Sequence, residues 1–309
     1  MPHTPVLLHE VIEYLKLEPV KPFDGAPGKP IDGAWGKKII DATLDGGGHT
    51  REIINRFPNV KVLGIEFDPV EVEEFRIDNP VLLEKMILVN DSYINMEKIA
   101  KENDFYPDGV IFDLGVSSWH YSSSGRGFSF QNEEPLDMRF NPKKEQTTAA
   151  DIVNMWDEGQ LVRILVKYGE EQFAENIANA IIKTRKEKPI LTTTDLVSVV
   201  KNAVPGWYTH RKIHCATKTF QALRVAVNDE IETIRKGIEA AIKILNPGGR
   251  LVVISFHGLE DKIVRAVFKE QVVAETIKWV TKDTIKPKWE EVKKNPRSRS
   301  AKMKIAQKI

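Results

Sequence analysis

The sequence contains a single cysteine, Cys215, and no apolar run that approaches the roughly 18 residues of a transmembrane helix. One cysteine excludes an internal disulfide, so we expect a reducing, cytoplasmic location. The first residues include a short apolar run but no basic region and no small-residue cleavage site, so no secretory signal is predicted. With 41% hydrophobic and 29% charged residues in 309, the composition predicts a soluble protein with a sizeable core and no membrane partner.

The net charge of +1 conceals an uneven distribution along the chain. Residues 286–309 contain nine Lys or Arg and two Glu, a charge of +7, which leaves 36 basic and 42 acidic residues elsewhere, a charge of −6. Clustered Lys and Arg attract phosphate backbones whatever the base sequence. The segment is therefore suited to nucleic acid, with a solvated terminus as the alternative.

Short apolar runs alternate with amphipathic stretches in the first third of the chain. Five such runs have the length of buried strands: 37–43, 60–67, 85–90, 109–116 and, much later, 250–256. Strand–helix alternation of this kind is typical of a parallel sheet covered on both faces. The sequence thus predicts an α/β protein with a Rossmann-like sheet, and 278–283 and 303–309 could add antiparallel edge strands.

The middle of the chain interrupts this alternation. After about residue 122 the sequence is loop-like and then helical, most clearly over 159–188. A single long amphipathic helix is predicted over 218–245, before the turn Asn-Pro-Gly-Gly. We therefore predict a helical domain, 122–214, inserted between two parts of the α/β domain, 1–121 and 215–309.

The glycine loop in "DATLDGGGHT", residues 41–50, fits neither common nucleotide-binding pattern. It lacks the Lys and Ser/Thr of a P-loop, and Arg51 occupies the third glycine position of G-x-G-x-x-G. Glycines after a first strand still place Gly46, Gly47, Gly48 and His49 beside a ligand. Glu66 lies 19 residues after Gly47, where an acidic residue can accept hydrogen bonds from a ribose. A dinucleotide and S-adenosyl-L-methionine both contain ribose; the spacing favours the second, and a simple tight turn is the alternative.

The segment 108–140 combines a carboxylate with hydroxyl, imidazole and aromatic groups. Asp113 ends the fourth predicted strand and is followed by Ser117, Ser118 and His120 among aromatic residues. Methylating a base amine requires a base that has left its stack and lies against aromatic or apolar faces. Asp113 could accept an N–H and orient the amine for attack. The alternatives are a helix N-cap for Asp113 and ordinary core packing for the aromatics.

At these residues the chain resembles the RsmH (formerly MraW) family of S-adenosylmethionine-dependent methyltransferases of small-subunit ribosomal RNA. The matching blocks run through the whole chain: 3–15, 41–50, 64–69, "DLGVSSWHYSSSGRGFSFQNEEPLDMRF", "HCATKTFQALRVAVNDE", "GGRLVVISFHGLED" and "NPRSRSAKMKIA". The resemblance implies a class I methyltransferase sheet with an inserted helical domain. It also implies N4-methylation of a cytidine in the decoding region of 16S rRNA, within the small ribosomal subunit.

The resemblance also assigns residues to the site. Cofactor contacts of the family fall on Gly47, Gly48, His49, Glu66, Tyr93, Asp113 and His120. Candidate contacts to RNA are Ser117, Ser118, Arg126, Arg139, Arg224 and His257, with salt bridging as the alternative for the charged ones. The chain departs from the family's usual Asp at Glu66, Gln at His120, Gly at Asp45, Pro at Cys215 and Ser at Gly258, and 20–37 is longer than the family pattern.

The sequence has three other interpretations: a zinc site, a nicotinamide-dependent oxidoreductase and a non-catalytic RNA-binding factor. His210 and His214 have the i to i+4 spacing of zinc ligands on a helix, but no further ligand set accompanies them, so no metal is expected. A nicotinamide-dependent oxidoreductase would need the dinucleotide spacing that the glycine loop lacks. A non-catalytic RNA-binding factor for assembly of the small subunit remains the alternative function.

Overall fold

A computed structural model describes residues 5–17, 36–281 and 283–309. Most of the segment that is longer than the family pattern, residues 20–35, lies outside these ranges. Across the described ranges, no helix combines the length and the apolar character needed to cross a membrane.

A seven-stranded sheet forms the centre of the α/β part, with strand order β3-β2-β1-β4-β5-β7-β6. The strands are β1 (Lys38–Asp41), β2 (Lys61–Glu66), β3 (Met86–Asn90), β4 (Gly109–Asp113), β5 (Arg250–Ser255), β6 (Ile277–Trp279) and β7 (Lys302–Lys308). Strands β1 to β5 pair in parallel, whereas β7 runs antiparallel to both β5 and β6. The predicted α/β class and Rossmann-like sheet are confirmed, and all five predicted parallel strands form. Of the two predicted edge strands, β6 is at the edge and β7 is internal.

Fifteen helices are assigned in the described residues. The first five are α1 (Leu8–Tyr14), α2 (Gly48–Arg56), α3 (Pro69–Asp78), α4 (Pro80–Leu83) and α5 (Met96–Glu102). Seven follow β4: α6 (Ser118–Ser122), α7 (Ala149–Met155), α8 (Glu158–Gly169), α9 (Ala174–Glu187), α10 (Thr193–Ala203), α11 (Gly206–Thr209) and α12 (Thr217–Val227). The last three are α13 (Glu230–Ile244), α14 (Gly258–Val273) and α15 (Trp289–Lys294).

The sheet is covered on both faces, and its central strands β4 and β5 are buried at every position. Successive side chains of a strand point to opposite faces. In β4, Val110 and Phe112 pack in one buried cluster with α5, α13 and α14, while Ile111 packs in the other with α1, α2 and α3. All six residues of β5 are buried. Such a doubly covered sheet presents the carboxyl ends of its parallel strands as the place for a ligand.

The chain forms two compact units. The first contains residues 1–115 and 231–309, and the second contains 116–230. The predicted insertion, 122–214, is too short at both ends. At its C-terminal side the reason is packing: Phe220, Ala222 and Leu223 of α12 are buried in the same cluster as residues of α7 to α10. The predicted boundary after residue 214 therefore separated α12 from the core it helps to form.

The single long helix predicted over 218–245 is two helices, α12 and α13. Asp229 has a left-handed backbone (φ 45°), which ends α12. The side chain of Asn228 accepts a hydrogen bond from the Phe140 amide at 2.8 Å and donates to the Met138 carbonyl at 2.8 Å. The Asn228 side chain bonds to the loop at 138–140, and the left-handed Asp229 interrupts the helix, which apolar periodicity cannot show.

Part of the basic C-terminal segment belongs to the sheet. Residues 302–308 form β7, where Lys304 is buried and forms an ion pair with Asp261. Burial of this lysine leaves the exposed positive charge of the segment mainly on 286–299, which includes Arg297 and Arg299. The solvated terminus considered as an alternative does not describe β7.

Candidate active site

The glycine loop leaves β1 and leads into α2. Gly47 has φ +70° and lies so close to Phe75 that a Cβ atom would come within 2.3 Å of the ring. Asp45, at a position where the family usually has glycine, has φ 47°, a left-handed conformation that Asp tolerates better than most residues. The backbone of this loop thus explains both why glycine is needed at Gly47 and why Asp is tolerated at Asp45. Gly46 is exposed, while Gly48 and His49 are buried at the start of α2.

Glu66, the last residue of β2, fixes the loop to the sheet. Its two carboxylate oxygens accept hydrogen bonds from the Asp45 amide at 3.0 Å and the Asp68 amide at 2.8 Å. The side chain is buried, and the amide of Leu44 also donates to the carbonyl of Ile65 at 3.0 Å. The predicted ribose acceptor therefore also holds the glycine loop in place. A carboxylate has about four lone-pair positions, so holding two amides is compatible with accepting from a ribose hydroxyl.

Asp113 ends β4, next to β1 in the sheet. Its amide donates to the Thr43 hydroxyl, and its Oδ2 lies 3.7 Å from Nδ1 of His49. Nε2 of His49 lies 2.9 Å from the Val6 carbonyl and must carry a proton to bond to it. Oδ1 of Asp113 is buried and has no hydrogen-bond partner within 5–17, 36–281 and 283–309. The carboxylate thus has one oxygen beside an imidazole and one buried oxygen without a donor.

Carboxyl groups accumulate at this end of the sheet. Burial, reinforced by Asp41 and Glu260, raises the pKa of Asp113 well above its ordinary value. Burial raises the pKa of Asp41 to about 7, although the Thr50 hydroxyl donates to it at 2.7 Å. The pKa of Asp45 is also raised, first by burial and then by the neighbouring carboxylates. This excess of negative charge would be offset by a positively charged ligand.

The helix that follows β5 contributes a buried carboxylate to the same end of the sheet. Glu260 accepts hydrogen bonds from the amides of Phe256 at 2.7 Å and His257 at 3.2 Å. The His257 side chain in turn caps α14 and lies 2.7 Å from Glu260. His257, a predicted RNA contact, thus has a capping role in the structure. A serine could occupy Gly258, because no heavy atom lies within 4 Å of a Cβ placed there.

Tyr93 follows β3 in a short 3₁₀ helix, Tyr93–Asn95. Its ring contacts the ring of Phe112 edge to face, with centroids 5.3 Å apart. A Cβ atom on Gly237 would come within 2.3 Å of the Tyr93 ring, so α13 packs closely against it. The predicted cofactor contact is therefore held at the carboxyl-end side of β3 by Phe112 and Gly237.

His120 belongs to the second unit. Its Nδ1 lies 2.7 Å from the Ser117 hydroxyl, and that hydroxyl caps α6 by accepting from the His120 amide. The rings of Phe128 and Phe140 contact the imidazole edge to face at 4.8 and 5.1 Å. Ser118 is half-buried at the first turn of α6. Core packing, the alternative for Phe128, is confirmed by its burial; Phe130 packs against the same cluster.

Each predicted RNA-contacting arginine has a partner inside the second unit. Arg139 forms two hydrogen bonds of 2.7 Å with Asp137, and Arg126 donates to the carbonyls of Arg139 and Phe140. Arg224 is buried and forms a bidentate pair with Glu230 at 2.6 and 2.9 Å. These contacts favour the salt-bridge alternative, most clearly for Arg224.

The two histidines with zinc-ligand spacing do not share a helix face, because α11 ends at Thr209. Nδ1 of His210 lies 2.7 Å from the Gly206 carbonyl, and His214 stacks on Phe130 at 4.7 Å. Neither belongs to a group of potential metal ligands in the described ranges. Cys215 is buried in the core of the second unit.

Sequence reasoning missed two buried carboxylates, Asp41 and Glu260. Asp41 is the last residue of β1, and Glu260 lies in the first turn after β5. Both could have been found from the rule that gave Glu66 and Asp113: polar residues at the carboxyl ends of parallel strands meet at one edge of the sheet.

The chain is similar to known proteins along its whole length. The model of the MraW methylase family matches residues 1–309. The chain is 39% identical over 308 residues to ribosomal RNA small subunit methyltransferase H of Persephonella marina, covering 99% of each chain. It is 41% identical to the protein of the same name from Dictyoglomus thermophilum, covering 99% of this chain and 96% of that protein.

Among solved structures, an rRNA methylase from Streptococcus thermophilus is similar with a TM-score of 0.39 and 12% identity. The match covers 88% of this chain and 87% of that one. The family model spans the entire sequence, and the relatives match it from end to end at well above 30% identity. The chain belongs to the MraW methylase family.

Proposed function

We propose that this protein transfers a methyl group from S-adenosyl-L-methionine to the N4 amine of a cytidine in the decoding region of small-subunit 16S rRNA. Family membership over residues 1–309 supports a methylase, and relatives named as ribosomal RNA small subunit methyltransferases support the class of RNA. The observation that carries the proposal is the buried Asp113 at the end of β4, with one oxygen lacking a donor in the described ranges.

The residues at the carboxyl ends of the strands fit the cofactor. S-adenosyl-L-methionine supplies an electrophilic methyl group on a positively charged sulfonium, and it also carries an ammonium group. Burial raises the pKa values of Asp41 and Asp113, and a cation beside them would favour their ionised forms. Gly46 to His49 and Tyr93 would border the cofactor, Glu66 would accept from its ribose, and His120 is a further candidate contact.

The protein's contribution to the reaction is positioning. An exocyclic amine is a weak nucleophile, so an acceptor that holds one N–H and directs the nitrogen lone pair lowers the barrier. Oδ1 of Asp113 would hold that N–H, while His49 lies beside Oδ2 and fixes the carboxyl group. A strong base is unnecessary, because the nitrogen becomes acidic as it is methylated.

The partner would be 16S rRNA within the small ribosomal subunit, and the expected location is the cytoplasm. The charge of residues 286–309 suits a phosphate backbone. Among the predicted RNA contacts, Ser117 and Ser118 stay candidates, whereas the buried pair of Arg224 with Glu230 supports a structural role for that arginine.

The experiment is methyl transfer from labelled S-adenosyl-L-methionine to small subunits that lack the modification, followed by mass spectrometry of the nucleosides. Wild type, Asp113→Ala and the exposed control Asp78→Ala are compared. We expect N4-methylcytidine from the wild type and the control. Transfer by Asp113→Ala should fall by about 10²- to 10⁴-fold, the usual size of an acid–base or orienting contribution.

The result also separates the alternatives. A different methylated nucleoside from the wild type would contradict the assignment to cytidine N4, but it would still support methylase activity. No transfer, despite binding of cofactor and subunits, would support the non-catalytic assembly factor. Full activity of Asp113→Ala would remove this residue from the mechanism.

A further inference from the structure

The second unit has an aromatic and basic surface whose residues have no role in the assignments above. We define the Trp207 surface as Trp207, Arg211, Lys212 and Ile213. The indole of Trp207 is 61% exposed and Ile213 is 63% exposed, and both cationic side chains between them are exposed. Large apolar side chains that are this exposed beside cations are typical of binding surfaces.

The chain segment that carries this surface has charge of one sign. From residue 196 to 228 the sequence has no Asp or Glu. The same stretch has five basic residues: Lys201, Arg211, Lys212, Lys218 and Arg224. The last of these is neutralised by Glu230, which leaves four. A polyanion would therefore meet attraction along this stretch, which has no carboxylate of its own.

The exposed Trp207 indole packs against neighbouring aromatic side chains that are themselves held in place. Tyr208 is buried, and its hydroxyl lies 3.0 and 2.9 Å from the two carboxylate oxygens of Glu171. The rings of Phe173 and Tyr208 contact Trp207 edge to face, with centroids 5.9 and 5.7 Å away. The guanidinium of Arg211 lies 5.1 Å from the Tyr208 ring centre. The buried tyrosine and the two aromatic contacts fix the tryptophan while leaving much of it open to solvent.

We propose that the Trp207 surface binds unpaired RNA, with the Trp207 indole stacked on a base and Arg211 and Lys212 at neighbouring phosphates. Aromatic rings that alternate with cations are the usual means of holding single strands, because every base has a face that can stack. The surface would position the substrate, and it takes no part in the chemistry. The identity of the RNA as ribosomal rests on the proposed function, whereas the binding of unpaired RNA does not.

The test measures binding of a fluorescent single-stranded oligoribonucleotide of about ten nucleotides, and separately of small ribosomal subunits lacking the modification. The variants are Trp207→Ala, Trp207→Phe and the control Tyr106→Ala. Tyr106 is a matched exposed aromatic, 48% exposed, but it lies between Asp104 and Asp108. Stacking contributes about 1–3 kcal/mol per base, which corresponds to about 5- to 150-fold in affinity.

We expect Trp207→Ala to weaken oligoribonucleotide binding by at least about 5-fold, and Trp207→Phe and Tyr106→Ala to stay within about 2-fold of wild type. The double variant Arg211→Gln, Lys212→Gln should reduce the slope of log affinity against log salt by about 1.4, or 0.7 for each phosphate contact. Cofactor affinity of each variant should match the wild type, and Trp207→Phe should keep the ring contacts with Phe173 and Tyr208 that Trp207→Ala loses. Thermal unfolding of each variant shows that it is folded at the temperature of the binding measurement.

Wild-type affinity for the oligoribonucleotide in Trp207→Ala would overturn the proposal. Weaker subunit binding with unchanged oligoribonucleotide binding would also overturn it and would assign the surface to a ribosomal protein. Failure of the proposed function gives a different pattern: no methyl transfer by the wild type, with RNA binding that still depends on Trp207.

Discussion

Both units contain paired buried charges, such as Lys304 with Asp261 in the first, but the first unit also contains buried carboxyls with an unpartnered oxygen in the described ranges. In the first unit, Asp41 and Asp113 each have a buried carboxylate oxygen without a hydrogen-bond partner in the described ranges, and both have raised pKa values. In the second unit, Arg224 is paired with Glu230, and Glu171 with Tyr208. A buried carboxyl without a hydrogen-bond partner lowers the free energy of unfolding, whereas a paired one avoids much of that cost.

This difference indicates that the first unit contains the buried charge that a ligand could neutralise. Active sites commonly hold groups whose environment is unfavourable until substrate or cofactor binds. The internal pairs of the second unit instead fix a helical framework, and its candidate contact to RNA is an exposed aromatic ring. Neutralising a charge should therefore have opposite effects on stability in the two units.

The largest expected effect is in the second unit. Arg224→Ala would leave Glu230 as a buried charge without its bidentate partner, and we expect the free energy of unfolding to fall by about 3–5 kcal/mol. Chemical denaturation measures this. Lys236→Ala, which removes the exposed pair with Glu232, should change it by less than about 1 kcal/mol. Equal effects of the two substitutions would remove the contrast between buried and exposed pairs.

The second effect is a pH dependence that originates in the first unit. Asp41 has a pKa of about 7 in the folded protein against 3.8 ordinarily, so the folded state holds more protons between these pH values. Stability from this group is therefore lost as pH rises from about 4 to about 7. Relative to Asp41→Asn, the wild type should lose up to about 1.4 kcal/mol per pH unit there. Parallel curves of unfolding free energy against pH would contradict the assignment.

The third prediction concerns the proposed catalytic residue. Burial, and then the neighbouring Asp41 and Glu260, disfavour the ionised form of the Asp113 carboxyl. Asp113→Asn removes this carboxyl, so the protein without ligand should gain about 0.5–2 kcal/mol in stability at pH 8. Asp78→Asn, at an exposed site, should stay within about 0.5 kcal/mol of wild type. A loss of stability in Asp113→Asn would show that this carboxyl has a structural role like that of Glu230.

The smallest effect is expected in the glycine loop. Asp45→Gly relieves the strain of a side chain on a left-handed residue, which raises stability. Glycine also makes the unfolded chain more flexible, which lowers stability by a smaller amount. We expect a gain of about 0.5 kcal/mol, while Asp45→Ala should lose stability, since alanine is less suited to this conformation. Thermal unfolding of the two variants measures the difference, and a more stable Ala variant would contradict the role given to the backbone.

Much of the fold could be predicted because its signals are local. The buried strands are continuous apolar runs, and Glu66 and Asp113 were found as polar residues that end such runs. The break at Asn228 and Asp229 was missed because it depends on hydrogen bonds to Met138 and Phe140, about 90 residues away. Long-range contacts of this kind leave no periodic pattern in a sequence.

Contacts that leave no periodic pattern also explain why the roles of the predicted RNA-contacting arginines could not be decided from the sequence. Arg139 and Arg224 lie in blocks shared with the family, but only the structure shows that Asp137 and Glu230 already bind them. Asp41 was missed because it lies inside an apolar run, where its burial was not evident. The roles of Glu66, Tyr93, Asp113 and His120 toward a ligand stay predictions.

Calorimetric titration with S-adenosyl-L-methionine tests the central claim most directly: the carboxyl end of the sheet, organised by Glu66, is the cofactor site. Wild type, Glu66→Gln and the exposed control Glu84→Gln are compared. We predict binding by the wild type and the control, and affinity about 10- to 100-fold weaker in Glu66→Gln, the effect of a lost hydrogen bond to a charged group. Equal affinity in all three proteins, or none in the wild type, would contradict the account.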